Sequence, residues 1–176
     1  MKNHRDDFRF IYKRGEGCAV FVCTFAGHRE VYHSCVDKCV RLLIDMILDQ
    51  HDNVMFYNGG MGAFDDICAK AVNAAKPEYP QNSIQNILVA PYLSRMLNER
   101  KAYYKTMYDH ILVLRESEGA HYKRAIQVRN RWMTQQSDLV IAYLIRNFGG
   151  AYDMARYAVK NGIRVINVAG DFSFDN

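Results

Sequence analysis

Residues 18–29, CAVFVCTFAGHR, carry the reading on which the fold turns. The first eight, Cys18 to Phe25, are a continuous apolar, β-rich run without the polar alternation of a strand that keeps one face wet. Such a run belongs in a parallel sheet covered on both faces. It stops at Ala26-Gly27-His28-Arg29, and a helical pattern follows from Ser34 to Leu48. There Val36, Val40, Leu43 and Ile47 fall three or four residues apart, while Asp37, Lys38, Arg41 and Asp45 can face water. Ser34 is the expected N-cap.

Outward from this unit the pattern repeats. Asn53 to Tyr57 (NVMFY) reads as a second strand, and Asn58-Gly59-Gly60-Met61-Gly62 separates it from a helix over Ala63 to Lys76, with Ile67, Ala71 and Ala75 as its buried stripe. Lys76 to Ser83 holds two of the three prolines and reads as a connection. Ile87 to Pro91 is a third strand, Tyr92 to Tyr108 a partly helical excursion, and Ile111 to Leu114 a short fourth strand. A helix over Ala120 to Gln136 sets Tyr122, Ala125, Ile126, Arg129 and Met133 on one side and feeds a fifth strand, Asp138 to Leu144. After Asn147-Phe148-Gly149-Gly150 come a helix over Ala151 to Asn161, Gly162 as its C-prime residue, and a sixth strand, Arg164 to Val168. Strands alternating with helices predict a Rossmann-like three-layer α/β/α sandwich around a mostly parallel sheet of about five to six strands. One domain is expected over residues 1–176, with an N-terminal arm at 1–16 and a C-terminal tail at 169–176.

Composition bounds the function. The hydrophobic fraction of 49% and the charged fraction of 24% exclude a disordered chain. No stretch reaches the roughly 18 to 20 apolar residues of a membrane span. Met1 to Arg14 lacks the apolar core of a secretory signal, and the five cysteines are an odd number, so free thiols in the cytoplasm are expected. The formal charge of +4 favours a small anionic ligand and falls short of the excess of a dedicated nucleic-acid binder. Cys35 and Cys39 lie one helical turn apart near His33 and His51, but no four-ligand zinc set stands at diagnostic spacing, so no metal is assigned. Beside Val36 and Val40 both thiols read as buried and structural, and Cys18, Cys23 and Cys68 read as core. The aromatics from Tyr103 to Tyr108, with Lys101 and Lys105, suit a base-stacking strip, a lid or a dimer contact equally well.

In an open parallel sheet, ligands sit beyond the carboxyl ends of the strands. The loops after strands one, two and five hold Gly27, then Gly59, Gly60 and Gly62, then Gly149 and Gly150. Glycine there lets backbone N–H groups approach an anion, and the helix that follows adds the positive end of its dipole. Any one such loop reads equally as a plain turn, whereas three on one rim, with His28 and Arg29 in the first, point to a ligand site. A G-x-G-x-x-G dinucleotide fingerprint does not follow the first strand. Arg129 shares a helical stripe with Ile126 and Met133, so its charge faces the sheet and requires either an anionic ligand or a carboxylate such as Asp138 or Asp153. Arg131 and Arg156 read as solvated helix charges.

The ordered set Thr24-Phe25-Ala26-Gly27-His28-Arg29, Phe56 to Asp65 (FYNGGMGAFD), Arg129 to Met133 with Ser137-Asp138, and Phe148-Gly149-Gly150-Ala151 resembles the SLOG superfamily. This Rossmann-like group holds the DNA-processing protein DprA and the LOG (lysine-decarboxylase-like) phosphoribohydrolases. Within it the chain looks most like the small bacterial and phage proteins related to YpsA. The resemblance implies a nucleotide or nucleotide-derived ligand, such as AMP, ADP-ribose or an NAD-like molecule, held by Gly27, His28, Arg29, Gly59, Gly60, Gly62, Asp65, Arg129, Asn130, Gly149 and Gly150, with no required cofactor. Asp65 matches the Asp at the helix start in DprA-like members, where it bonds a ribose hydroxyl or caps the helix. Arg129 and Met133 match the arginine and methionine of the LOG E-R-K-x-x-M stretch, with Asn130 in place of its lysine. The LOG glutamate of P-G-G-x-G-T-x-x-E is replaced by Arg156, which cannot act as a general acid or base near neutral pH. The resemblance therefore implies binding, with sensing as one use. It leaves open nucleotide N-glycosidase activity, in which Asp153 or Glu30 would have to replace the glutamate, and DprA-like single-strand DNA binding. Superfamily members are often dimers, which implies a homodimer here.

Overall fold

A computed structural model describes residues 19–92, 99, 101–114, 121–172 and 174. Cys18 and the expected N-terminal arm lie outside the described residues. In chain order the elements are β1 (Phe21–Gly27), α1 (Val36–Leu48), β2 (Asn53–Asn58), α2 (Ala63–Ala75), a 3-10 turn (Lys76–Glu78), β3 (Ser83–Ala90), α3 (Lys101–Met107), β4 (His110–Val113), α4 (Tyr122–Gln135), β5 (Leu139–Tyr143), α5 (Gly150–Lys160) and β6 (Arg164–Asn167). The six strands form one sheet in the order β4-β3-β2-β1-β5-β6, and all five pairings are parallel. The chain moves outward from β1 to β4 and then returns past β1 to β5, so the strand order reverses between β1 and β5. In an open α/β sheet the crevice beyond that reversal is where ligands bind.

Alternation along each strand sorts the core into two faces. Cys23, Phe25, Val54, Phe56, Leu139, Ile141 and Tyr143 meet Val36, Val40 and Ile44 of α1 and Phe64, Cys68 and Val72 of α2. Ala26, Met55, Val89, Val140 and Ala142 meet Met133 of α4 and Met154, Ala155 and Ala158 of α5. On the outer strands Leu88 packs with Ala69, Tyr104 and Tyr108. Burying a large side chain of this kind stabilises the fold by roughly 1.5–3 kcal/mol. α5 ends as its glycine foretells: Gly162 takes φ 74°, Gly162 N–H donates to Val159 C=O and Ile163 N–H to Ala158 C=O, a Schellman closure.

Several local expectations are corrected. Ser34 does not cap α1; Cys35 takes the N-cap position, without a side-chain hydrogen bond. The buried stripe of α2 is Phe64, Cys68, Val72 and Ala75, with Ile67 and Ala71 only partly covered, because Phe64 inserts against Gly27 and sets the helix rotation. β1 starts at Phe21, later than the apolar run, and β3 starts at Ser83, earlier than its apolar part. Tyr122 stands exposed at the start of α4, off the buried stripe. Cys35 is exposed and Cys39 half-buried, so they are not core thiols, unlike Cys23 and Cys68.

Candidate functional site

Three loops meet beyond the carboxyl ends of β1, β2 and β5, and each is braced by a specific contact. β1 ends opposite Tyr143, and His28 N–H donates to Tyr143 C=O at 3.3 Å. The Tyr143 hydroxyl, on a fully buried side chain, accepts the Tyr32 N–H at 3.1 Å and lies 2.9 Å from His33 Nδ1, which fixes the segment after His28. The second loop is folded by buried Asn58, whose Nδ2 donates to Asp65 C=O at 2.8 Å while its Oδ1 accepts the Gly60 N–H at 2.9 Å. Asp65 Oδ2 accepts the Met61 N–H at 2.7 Å, so this carboxylate closes the loop from within the first turn of α2. The two loops then join: Ala63 N–H donates to Arg29 C=O at 2.9 Å, and a Cβ on Gly62 would lie 2.7 Å from Arg29 Cα. Beyond β5, Asn167 receives the Leu144 N–H and donates to Leu144 C=O, and Gly149 at φ 94° turns the chain into α5.

Between the loops lies a cleft of about 280 Å³. Gly27, His28, Arg29, Gly59, Asp65, Arg129, Asn130, Gly149 and Gly150 line it, and so do Met61 and Arg146, which the sequence did not single out. Gly60 and Gly62 do not line it; their part is to shape the β2–α2 loop against Leu88 and Arg29. Gly27 and Gly59 are small for packing reasons as well, since a Cβ on Gly27 would enter the Phe64 ring and one on Gly59 would enter the Arg129 guanidinium.

Arg129 is 4% exposed. Its Nη1 donates to Val89 C=O at 3.3 Å and its Nη2 to the Met61 sulfur at 3.2 Å, while Nε has no partner. Burial lowers its pKa, and the charge of Asp65 opposes that shift. The carboxylate acting on Arg129 is thus Asp65. Of the two expected partners, Asp138 accepts the Val22 N–H at 2.9 Å and Asp153 is exposed on α5. Burial raises the Asp65 carboxyl to about 6, against the lowering influence of the Met61 N–H and of Arg129. His28 is 5% exposed, its Nε2 has no partner, and burial followed by the Arg146 charge lowers its pKa, which favours the neutral ring. Buried polar atoms are nearly always hydrogen-bonded, and two of the orphaned ones, His28 Nε2 and Arg129 Nε, belong to residues of this cleft wall.

Three arginines, Arg29, Arg129 and Arg146, thus line the cleft against one carboxyl that is held partly protonated near neutrality. Neither Asp153 nor Glu30 lines it. Among the described residues no group of three or more His, Cys, Asp or Glu is placed to hold a metal.

No protein-family model and no curated protein matches the sequence. Solved structures do share the fold. DNA processing protein A of Helicobacter pylori, described for its single-stranded DNA binding mode, superposes with a TM-score of 0.59 at 20% identity, over 82% of this chain and 63% of that one. DNA processing protein A (DprA) of Streptococcus pneumoniae gives 0.60 at 15% identity, over 86% and 51%. The structural-genomics target TM1055 gives 0.51 at 13% identity, over 82% and 72%. The chain therefore spans half to two thirds of the length of these DprA chains, and what it shares with them is the Rossmann-like fold.

Proposed function

We propose that this chain binds a nucleotide or nucleotide-derived ligand in the cleft between the three loops, with the phosphate at the amino end of α5 and a sensing role following from the binding. The observation that carries the reading is the pair of buried, unpartnered nitrogens on His28 and Arg129, set in a wall with two further arginines. A phosphate oxygen accepts a hydrogen bond from the Arg129 Nε–H, and charge-assisted bonds of this kind are the strong ones. His28, whose other ring nitrogen bonds the Arg146 backbone, presents Nε2 as an acceptor for a ligand hydroxyl. At about 280 Å³ the cleft lies just below the ~300–1,000 Å³ range of small-ligand pockets. That size fits the phosphate and ribose of one nucleotide, so ADP-ribose or an NAD-like molecule would extend beyond the mouth. Isothermal titration against AMP, ADP-ribose, NAD and cyclic nucleotides tests the reading, and silence across the panel with folded protein overturns it.

Single-strand DNA binding is the second reading, favoured by the shared fold with DprA and by Arg29 and Arg146 standing exposed at the rim. It requires an oligonucleotide complex that weakens steeply with salt. Nucleotide N-glycosidase activity is the third. It gains a titratable carboxyl in Asp65, and free base released from nucleoside 5′-monophosphates would establish it. Membership in the YpsA-related branch rests on the four sequence motifs. Cytoplasmic residence is supported by the free thiols of Cys23, Cys35, Cys39 and Cys68. Among the described residues no helix is long and apolar enough to cross a membrane. A homodimer would have the exposed Leu42 and Met46, one turn apart on α1, as an apolar contact face; sedimentation of the Leu42→Glu variant beside the parent chain tests that assembly.

A further inference from the structure

The two most exposed aromatic side chains among the described residues, Tyr32 at 70% and Phe148 at 62%, belong to the two loops whose other residues, Arg29, Arg146 and Gly149, line the cleft. Tyr32 follows His28 and Arg29 after β1, and Phe148 lies between Arg146 and Gly149 after β5; the two strands are direct neighbours in the sheet. The Arg146 guanidinium carbon lies 5.0 Å from the centre of the Phe148 ring, and Arg146 itself lines the cleft. Its charge also acts on the Tyr32 hydroxyl and on His28. One face of the Phe148 ring is therefore taken by a cation that reaches the cleft, and the rest of the ring is open to solvent. Phe148 takes no part in either buried core cluster around β5. A phenyl ring held out in water beside Gly149 and Arg146 of an arginine-lined cleft has no packing role to explain it, whereas a planar, electron-poor partner stacked on it would cover apolar surface and complete the cation–π stack.

We propose that Phe148, backed by Arg146, is a stacking platform for the base of a 5′-phosphorylated nucleotide whose phosphate and ribose occupy the cleft. The inference rests on the nucleotide reading above and deepens it. The cleft at about 280 Å³ takes the sugar-phosphate, and the base lies outside on the ring. Stacking on an aromatic face tolerates any base, because each has a π-face, so the platform contributes affinity more than choice among bases. The same chemistry serves a free mononucleotide or one nucleotide of a strand.

Titration calorimetry of the parent chain and of the Phe148→Leu and Phe148→Trp variants separates these cases, with AMP, GMP, CMP, UMP, ribose 5-phosphate and a short oligothymidylate as probes. At least one monophosphate should bind the parent about tenfold more tightly than ribose 5-phosphate. Phe148→Leu should bring it down to the ribose 5-phosphate level without changing ribose 5-phosphate binding, and Phe148→Trp should restore it. Binding of the oligonucleotide alone, weakened by Phe148→Leu, supports the platform with a strand as its source. If ribose 5-phosphate binds as tightly as every monophosphate, or if Phe148→Leu leaves monophosphate affinity intact, the platform is overturned while the nucleotide reading stands. Binding of no probe by folded protein overturns both.

Discussion

Arg129 has two of its nitrogens occupied, one by a backbone carbonyl and one by a thioether sulfur, a weak acceptor, and its Nε is left over inside the protein. A cation kept in this state is poorly compensated by protein groups alone, since Asp65 acts on it only at a distance and is itself raised to about 6. Arg129→Met retains much of the side-chain volume and removes the charge. It should leave the chain folded by circular dichroism and weaken nucleotide binding about 10- to 100-fold, the worth of one charge-assisted hydrogen bond. Asp65 makes a separate prediction through pH. Its folded pKa is raised above the unfolded value of 3.8, so the folded state holds its proton more tightly, and the stability it contributes is present below about pH 4 and lost as pH rises through about 6. The loss amounts to about 3 kcal/mol. His28 works the other way, because its lowered pKa makes stability fall as pH drops below its unfolded value. Asp65→Asn keeps an oxygen for the Met61 N–H and cannot ionise, so its advantage over the parent in urea unfolding should grow between pH 4 and pH 7. A constant difference would refute the assignment. His28 and Arg129 could be picked out in the sequence because each sits in a motif, while Arg146 could not: an arginine in a polar loop is by default solvated, and only the fold brings it to the cleft.

At the scale of elements, the glycines divide into two kinds that spacing alone does not separate. Gly27 and Gly59 are small because another side chain occupies the space, whereas a Cβ on Gly150 would meet nothing closer than Asn130 Nδ2 at 3.8 Å. Gly27→Ala should therefore destabilise the chain by roughly 1–3 kcal/mol through overpacking against Phe64, read as a lowered melting temperature. Gly150→Ala, at the first position of α5, should leave stability unchanged or raise it by up to about 1 kcal/mol from helix propensity. A loss of nucleotide affinity in Gly150→Ala without loss of stability would show that the bare backbone there meets the ligand. Strand and helix order was readable from periodicity, but boundaries moved wherever a long-range contact outweighed it. β3 extends back through Ser83 to Asn86 because parallel pairing with Asn53 to Phe56 and the Asp109 carboxylate, which accepts the Asn86 N–H, satisfy a polar stretch that shows no strand pattern of its own. The rotation of α2 was likewise set by Phe64 meeting Gly27, residues far apart in sequence.

At the scale of the whole molecule, the alternation of strands and helices determines a parallel sheet but not which strands are neighbours. The reversal between β1 and β5 is what brings the loops at residues 28, 59 and 149 to one place and makes a formal charge of +4 local, with three arginines around one cleft. That concentration predicts a response to a bare anion, before any nucleotide is identified. A ligand that binds only the folded state stabilises it by about 2.7 kcal/mol at a hundredfold excess over its Kd. For a chain of this size each kcal/mol moves the melting temperature by about 2–4 °C. Saturating inorganic phosphate should therefore raise the melting temperature by roughly 5–10 °C, while sodium chloride at the same ionic strength should not, because screening acts on every surface charge and the cleft acts only on what fits between its donors. Arg129→Met should lose most of the phosphate effect and keep the chloride response unchanged. An equal rise in both salts, or a phosphate effect that survives in the variant, would mean that the stabilisation comes from the general positive charge of the surface and that the arginine-lined cleft does not hold a phosphate.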